Sequence, residues 1–418
     1  MSANPTVGEL RDAVPQVPDT PCELADYARQ VFASVCGRAA DSSALAAWGD
    51  GDDEIVGSAF RIHHDERAVL DLARTFQRRL FDAGLAWLQG PREFGGAGLS
   101  DEQVAVVRDV AAEFQRPDLN PLLVGQQIVA PAILQFGTDE QRRRWLPAIW
   151  SGDVVGCQLF SEPDAGSDLA SLRTRAVRDG DMWRITGQKV WSSGAHLSHV
   201  GELLARTSDD PALRHKGLTM FVIDMNQPGV TVLPLRQMNG SAHFCEVYLD
   251  DVVVADDRRL GGVGQGWLVA QTSLTSERDG FGDEDGHLFH RPYERLVQLV
   301  RHSGRADDPV VRQRLADAYT RHVIGRLLPD HLAGTTPAAQ LGAPSLVKLF
   351  STDADWRLAE TAARVLGAAI TADSGEWGLY AWSAMLLGVP APRIAGGTDQ
   401  IQRNIIGERA LGLPREPR

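Results

Sequence analysis

The chain has 418 residues, 43% hydrophobic and 23% charged, which is material for two or three domains with substantial cores and excludes disordered and fibrous classes. Acidic residues outnumber basic ones by 55 to 42, a net charge of −13, so the surface repels nucleic-acid phosphates and no nucleic-acid partner is expected. Cys22, Cys36, Cys157 and Cys245 form no CxxC pair, which argues against a zinc knuckle or a disulfide framework and for a reducing, cytoplasmic setting.

The N-terminal stretch MSANPTVGELRDAVPQVPDTP carries charges and prolines where a signal peptide needs an apolar core. No later run reaches the length of a membrane span, so no membrane insertion is expected. Residues 1–60 read as a loosely attached extension with one helix around Glu23–Cys36 and an acidic break at Asp50–Glu54. From Glu66 the pattern is helical, and three- and four-residue spacing puts Val69, Leu72, Ala73, Phe76, Leu80 and Ala83 on one face. Helices continue to about Trp150, interrupted by Gly95, Gly96 and Gly98, with Ser100, Glu102 and Gln103 opening the next one. This is a helical domain over 61–155.

The period then changes. Trp183–Ile185, Leu218–Asp224, Val230–Leu235 and Phe244–Val254 are short β-prone runs between Gly, Asp and Pro turns, and Asp179-Gly180-Asp181 is a hairpin signal. A compact β domain over 156–262 follows. Helical periodicity returns over 263–418, with Leu346, Leu349, Phe350, Leu358, Ala362 and Val365 on one stripe and Ile401, Ile405 and Ala410 on another. The fold class is α+β, in the order α, β, α.

Three segments carry candidate chemistry. The loop Leu159-Phe160-Ser161-Glu162-Pro163-Asp164-Ala165-Gly166-Ser167-Asp168 could turn backbone N–H groups and hydroxyls toward an acceptor-rich ligand, or be a plain connecting turn. In Gly187-Gln188-Lys189-Val190-Trp191-Ser192-Ser193-Gly194, an indole beside two small donors could cover a flat heterocycle, or Trp191 could simply be core. The Gly396-Gly397 turn runs into a helix through a Thr398 or Asp399 cap, and its first-turn N–H groups suit a phosphate or carbonyl oxygen as well as an ordinary helix start. Glu277-Arg278 alone reads as a solvated charged pair. Gly261–Gly266 does not spell the dinucleotide fingerprint, and no Walker A loop or nucleophile elbow occurs. His287 and His290 near Glu284 and Asp285 lack the HExxH order, so a solvated acidic loop is expected there and no metal.

Taken together and in order, these segments resemble the acyl-CoA dehydrogenase family from about residue 66 to 416. The resemblance rests on GLAWLQGPREFGGAGLS, ILQFGTDEQRRRWLPAIWSGD, SEPDAGSD, GQKVWSSGAHLSH, FCEVYLDDVVV, GVGQGWLVAQTSLTSER and GGTDQIQRNIIGERALGLP. It implies a helical N-terminal domain, a β-barrel-like middle domain and a C-terminal four-helix bundle. It implies FAD lying between the last two domains and reaching across a subunit interface, hence a homodimer or homotetramer, or a heteromer. Phe160, Ser161 and Ser167 would lie along the flavin and thioester, and Trp191 and Ser193 would flank the isoalloxazine ring. Thr398 and Gln400 would touch the adenosine diphosphate part, and Arg364, Gly367 and Ala368 would come from the neighbouring subunit. The family usually has Gln at the position of Arg364, Gly at that of Ala368 and often Gly at that of Asp164, and only Arg301 and Arg305 are candidates for the pyrophosphate arginine.

The implied reaction is α,β-dehydrogenation of an acyl-CoA or acyl-carrier-protein thioester, with electrons passed to an electron-transfer flavoprotein. An α-proton so weakly acidic needs both a placed base and stabilisation of the enolate oxygen. Better-known members place a Glu just before the Gly-Thr of the C-terminal motif, where this chain has Gly396. A branch typified by the isovaleryl-CoA and long-chain enzymes carries its base on the helix ending in Arg, which makes Glu277 the expected base here, with Arg278 and Ser167 at the substrate and the Gly396 N–H polarising the thioester carbonyl. Related flavoenzymes acting as oxidases or monooxygenases, and a non-catalytic subunit of a heteromer, are the alternatives.

Overall fold

The computed structural model describes residues 16–38, 48–49, 55, 65–210, 212–279 and 290–415. The expected acidic break at Asp50–Glu54, and the side chains of Arg278, Glu284, Asp285, His287 and His290, lie outside these. Two compact units divide the chain: residues 1–40, 63–237 and 242–276 form the first, and 41–62, 238–241 and 277–418 the second. No helix among the described residues is long and apolar enough to cross a membrane.

The first unit begins with helices. In α1 (Pro21–Val35), capped by the Thr20 side chain, Leu24, Ala28 and Phe32 recur every four residues and are buried. Phe32 stacks on Phe114 at 5.8 Å and shares a core with Phe76, Val104 and Val107. An ion pair of Arg29 with Glu113 (2.9 Å) lies beside it. This helix is therefore an integral part of the core and not a loose extension.

In α2 (Glu66–Asp82) the buried face is Leu70, Ala73, Phe76, Gln77 and Leu80. Leu72, expected on that face, is 64% exposed. The face is rotated because Gln77, polar by sequence, is drawn inside to donate to the Trp150 carbonyl at 2.9 Å. Then come α3 (Asp101–Ala111), started by a reciprocal Ser100–Gln103 capping box, α4 (Asn120–Leu123), α5 (Ala130–Phe136) and α6 (Asp139–Trp150).

The sheet comprises β1 (Gly156–Leu159), β2 (Arg175–Asp179), β3 (Met182–Ser193), β4 (Val200–Arg206), β5 (Leu218–Asp224), β6 (Val230–Leu235), β7 (Phe244–Ala255) and β8 (Arg259–Leu260). Its order is β6-β7-β3-β2-β4-β5-β8, with β1 pairing β4 in parallel. The expected hairpin at Gly180 joins β2 and β3, which pair Asp179 with Met182. β4 and β5 are buried along nearly their whole length, because Leu203 and Phe221 join one core cluster and Leu204 and Met220 another. Within β4 the fully buried Glu202 accepts a 2.7 Å hydrogen bond from Ser273 of α7 (Gly266–Asp279).

The second unit is helical: α8 (His290–His302), α9 (Pro309–Ala333), α10 (Pro337–Gln340), α11 (Ala343–Leu366), α12 (Tyr380–Gly388) and α13 (Asp399–Ile405). Its core gathers Leu296, Leu299, Val300, Leu358, Ala359, Ala362, Val365 and Trp382. The C-terminal part of the predicted α11 stripe is thus buried, whereas Leu346 near its start is 39% exposed.

Candidate active site

In the first unit, residues 160–174 and strand β3 form one hydrogen-bonded construction. Glu162 and Ala165 exchange backbone bonds in both directions at 3.1 Å, closing a tight turn over Pro163-Asp164. The Glu162 side chain is buried and turns back under the loop: Oε2 accepts from the Arg173 N–H (2.7 Å) and Oε1 from the Thr174 N–H (2.8 Å). Oε1 also accepts from Lys189 Nζ at 2.9 Å, and that ammonium donates to the Phe160 carbonyl at 2.9 Å. Lys189 is fully buried. Burial pushes its pKa down to about 8 against the opposing pull of Glu162. Burial raises the Glu162 carboxyl as well, but Lys189 and the bonds from Thr174 and Arg173 prevail and hold it below the usual range. Next along the strand, the Val190 N–H donates to the Ser161 carbonyl at 2.9 Å.

Two residues past Lys189 the strand bulges. Lys189 faces Val247 and Ser192 faces Cys245, so Val190 and Trp191 stand opposite Glu246 alone. Trp191 adopts φ +63°, a left-handed conformation rare for a bulky residue. Its indole is 60% exposed and meets the Phe244 ring edge-to-face at 5.9 Å. The adjacent Ser192 hydroxyl is buried without a hydrogen-bond partner, and Ser193 pairs with Phe244. Trp191 is thus no core residue. Strained backbone, an exposed indole and an unpartnered hydroxyl meet in one short stretch, an exposed aromatic platform. Phe160 is buried and Ser161 half-buried beside this platform, while Ser167 is exposed further along the loop.

In the second unit, Thr398 is the N-cap of α13 and its side chain accepts from the Ile401 N–H. The preceding Gly396 and Gly397 have φ +60° and +92°, a pair of left-handed residues that favours glycine. Their carbonyls are claimed from within: Gln402 Nε2 donates to those of Gly396 (2.8 Å) and Gly397 (3.0 Å), and the buried Lys348 ammonium to those of Ala395 and Gly397. Arg393 clamps Asp399 at 2.6 Å, and Gln400 is exposed. Gly396, Thr398 and Gln400 therefore share one turn. Arg364 is exposed and spends its guanidinium on Glu360 one turn back (2.7 Å), and Gly367 and Ala368 lie exposed at the end of α11. Arg305, a candidate for the pyrophosphate, donates instead to the Arg364 carbonyl (2.8 Å) and Asp308 (2.6 Å). Glu277 is half-buried near the C-terminal end of α7.

Sequence reasoning overlooked Lys189, Glu162, Lys348 and Gln402. Lysine, glutamate and glutamine side chains ordinarily read as solvated, and only the packing shows these four buried.

Family models for the N-terminal, middle and C-terminal domains of acyl-CoA dehydrogenases match residues 53–153, 157–252 and 264–411. The chain is 40% identical over 356 residues to acyl-CoA dehydrogenase IpdE1 of Mycobacterium tuberculosis (strain ATCC 25618 / H37Rv), covering 84% of this chain and 90% of that protein. Among solved structures, the Tcur3481-Tcur3483 steroid ACAD matches with TM-score 0.73 and 26% identity, over 98% of this chain and 100% of that one. The ChsE4-ChsE5 complex from Mycobacterium tuberculosis matches with TM-score 0.69 and 27% identity, over 96% and 99%. The family's flavin fits what the residues offer: the Trp191 face can cover a flat ring, and the orphaned Ser192 hydroxyl awaits a polar partner. The chain belongs to the acyl-CoA dehydrogenase family and is an FAD-dependent oxidoreductase of that family.

Proposed function

We propose that the protein dehydrogenates an acyl-CoA thioester at its Cα–Cβ bond to the trans-2-enoyl thioester, with Glu277 as the base and an electron-transfer flavoprotein as the electron acceptor. The observation that carries the assignment of the base is the Gly396 turn. Position 396 carries no side chain and sits at φ +60°, the turn's carbonyls are held inward by Gln402 and Lys348, and the nearby Asp399 carboxylate is engaged by Arg393. Such a turn can offer an N–H to the thioester oxygen but cannot accept a proton, so the acceptor has to come from another element. Glu277, half-buried on α7, supplies it.

FAD supplies the two-electron acceptor for the β-hydrogen. The chain's own contribution is to bind, orient and deprotonate. Trp191 and Ser193 hold the ring, and Phe160, Ser161 and Ser167 line the ring and thioester. Thr398 and Gln400 reach the adenosine diphosphate part, Arg364, Gly367 and Ala368 serve a neighbouring subunit, and Arg278 stands at the substrate. We take the acyl group to be polycyclic, as the name of the Tcur3481-Tcur3483 steroid ACAD suggests. Assembly with a second, related chain follows the ChsE4-ChsE5 complex. It agrees with the departures at Gly396, Arg364 and Ala368, which would suit a chain that shares its sites with a different subunit.

Anaerobic titration with a panel of straight-chain, branched and steroid-derived acyl-CoA thioesters tests the reading, because the true substrate bleaches the flavin. Glu277→Gln keeps size and hydrogen bonding but removes the proton acceptor, so FAD stays bound while flavin reduction slows by at least ~10²-fold. Reduction at the wild-type rate in that variant would show that the base lies elsewhere. A single chain that takes up no FAD until a related subunit is added would favour the non-catalytic subunit reading.

A further inference from the structure

The Lys189–Glu162 pair has no part in the proposed chemistry, yet it is the most deeply buried ion pair among the described residues: the lysine side chain is 0% exposed and the glutamate 8%. Burying two charges costs about as much as their attraction returns, and apolar replacements of such pairs are often no less stable. Stability alone therefore accounts poorly for it. Its connections are specific: the ammonium holds the Phe160 carbonyl, and the carboxylate holds the N–H groups of Arg173 and Thr174. The loop is thus pinned at its entry and its exit to one point in the sheet. That point lies on β3 two residues before Trp191, and the intervening Val190 N–H takes the Ser161 carbonyl. Loop and bulge share one anchor.

We propose that Lys189 and Glu162 are positioning residues for the flavin: the pair fixes the 160–167 loop in register with the Trp191 bulge, so that both edges of the platform present one geometry to the ring. The proposal rests on the reading that this loop and Trp191 face the flavin. With the ammonium removed, the Phe160 carbonyl and the Glu162 carboxylate lose their shared donor, and the loop's entry keeps only the Val190 N–H bond to the Ser161 carbonyl. The hydrogen bonds that tune the ring then become heterogeneous, which changes flavin affinity and potential while leaving the fold.

The test uses the full chain, with FAD as the probe and no acyl substrate. Lys189→Met leaves Glu162 buried without its cation and should lower the melting temperature. The Lys189→Met/Glu162→Gln double variant removes both charges and keeps an amide oxygen for one of the Arg173 and Thr174 N–H groups, while the other faces the amide NH2, so its melting temperature should recover in part from that of Lys189→Met. FAD affinity should not recover with it: the dissociation constant is expected to stay about tenfold above wild type, the loss corresponding to one charge-assisted hydrogen bond. The flavin midpoint potential and visible band should shift as well. A double variant with wild-type affinity, potential and spectrum overturns the proposal. Should the double variant fail to fold, the near-isosteric Glu162→Gln, which keeps the ammonium on the Phe160 carbonyl but weakens its hold on residue 162, carries the test through FAD potential and spectrum, and wild-type values there overturn the proposal. Trp191→Ala measured alongside separates the two layers. If it leaves FAD binding unchanged, the site reading itself fails; if it weakens binding while the pair variants do not, only the positioning role is lost.

Discussion

Trp191 offers a test in which the backbone and the side chain are read separately. At 60% exposure, about two-fifths of its surface is covered by protein. For an aromatic side chain of up to ~250 Å² this is roughly 100 Å², or about 2.5 kcal/mol at ~25 cal/mol/Å². Trp191→Ala and Trp191→Gly should both lose about that much stability in the FAD-free protein. The φ of +63° is kept by alanine, at a cost of roughly 1 kcal/mol, and relieved by glycine, whose extra freedom in the unfolded chain offsets about 0.5–1 kcal/mol. The glycine variant should therefore be at least as stable as the alanine variant, the reverse of their order in an ordinary strand. Both should bind FAD about 10- to 100-fold more weakly, since ring contact and the burial it brings amount to roughly 1.5–3 kcal/mol. Fluorescence titration of FAD-free protein and urea unfolding measure the two quantities. Unchanged FAD affinity would refute the placement of the indole on the flavin, and an alanine variant clearly more stable than glycine would refute the strained bulge.

Gly96, in the PREFGGAGLS segment, is required for space: a Cβ there would lie 2.2 Å from the Gly90 carbonyl carbon and oxygen. Gly96→Ala should lower stability by several kcal/mol, whereas a Cβ at Gly98 would meet only the flexible Arg92 side chain at 3.2 Å, so Gly98→Ala should cost roughly the 1–2 kcal/mol of its left-handed backbone. Equal melting temperatures for the two variants would count against this. His199 is held below its ordinary pKa by burial and by the Arg74 and Arg67 charges, with Asp224 and Asp153 opposing, and its Nδ1 accepts from the Val155 N–H at 3.0 Å. The unfolded chain takes up that proton below about pH 6.5 while the folded chain does not, so this contribution to stability is complete above pH 6.5 and is lost as pH falls. His199→Asn keeps an acceptor without a titration and should flatten the fall in melting temperature between pH 7 and 5; parallel profiles would contradict it.

Much of this was legible in the sequence because it depends on local periodicity and turn chemistry. The shift from helical to alternating patterning at residue 156 and back near 266, the Ser100 capping box, the Gly180 hairpin and the Thr398 cap each follow from a few adjacent residues. The order of the motifs carried the family. What the sequence could not decide is which polar residues go inside. Leu72 is exposed and Gln77 buried because a carbonyl at Trp150, more than seventy residues away, needs a donor. Lys189, Glu162, Lys348 and Gln402 read as surface residues until the tertiary structure brings unsatisfied loop carbonyls and N–H groups over them. A buried backbone group must find a partner, and that partner comes from wherever the chain folds back. The left-handed Trp191 is of the same kind: its bulge exists because β7 offers one residue against two of β3, a count that only strand pairing can set.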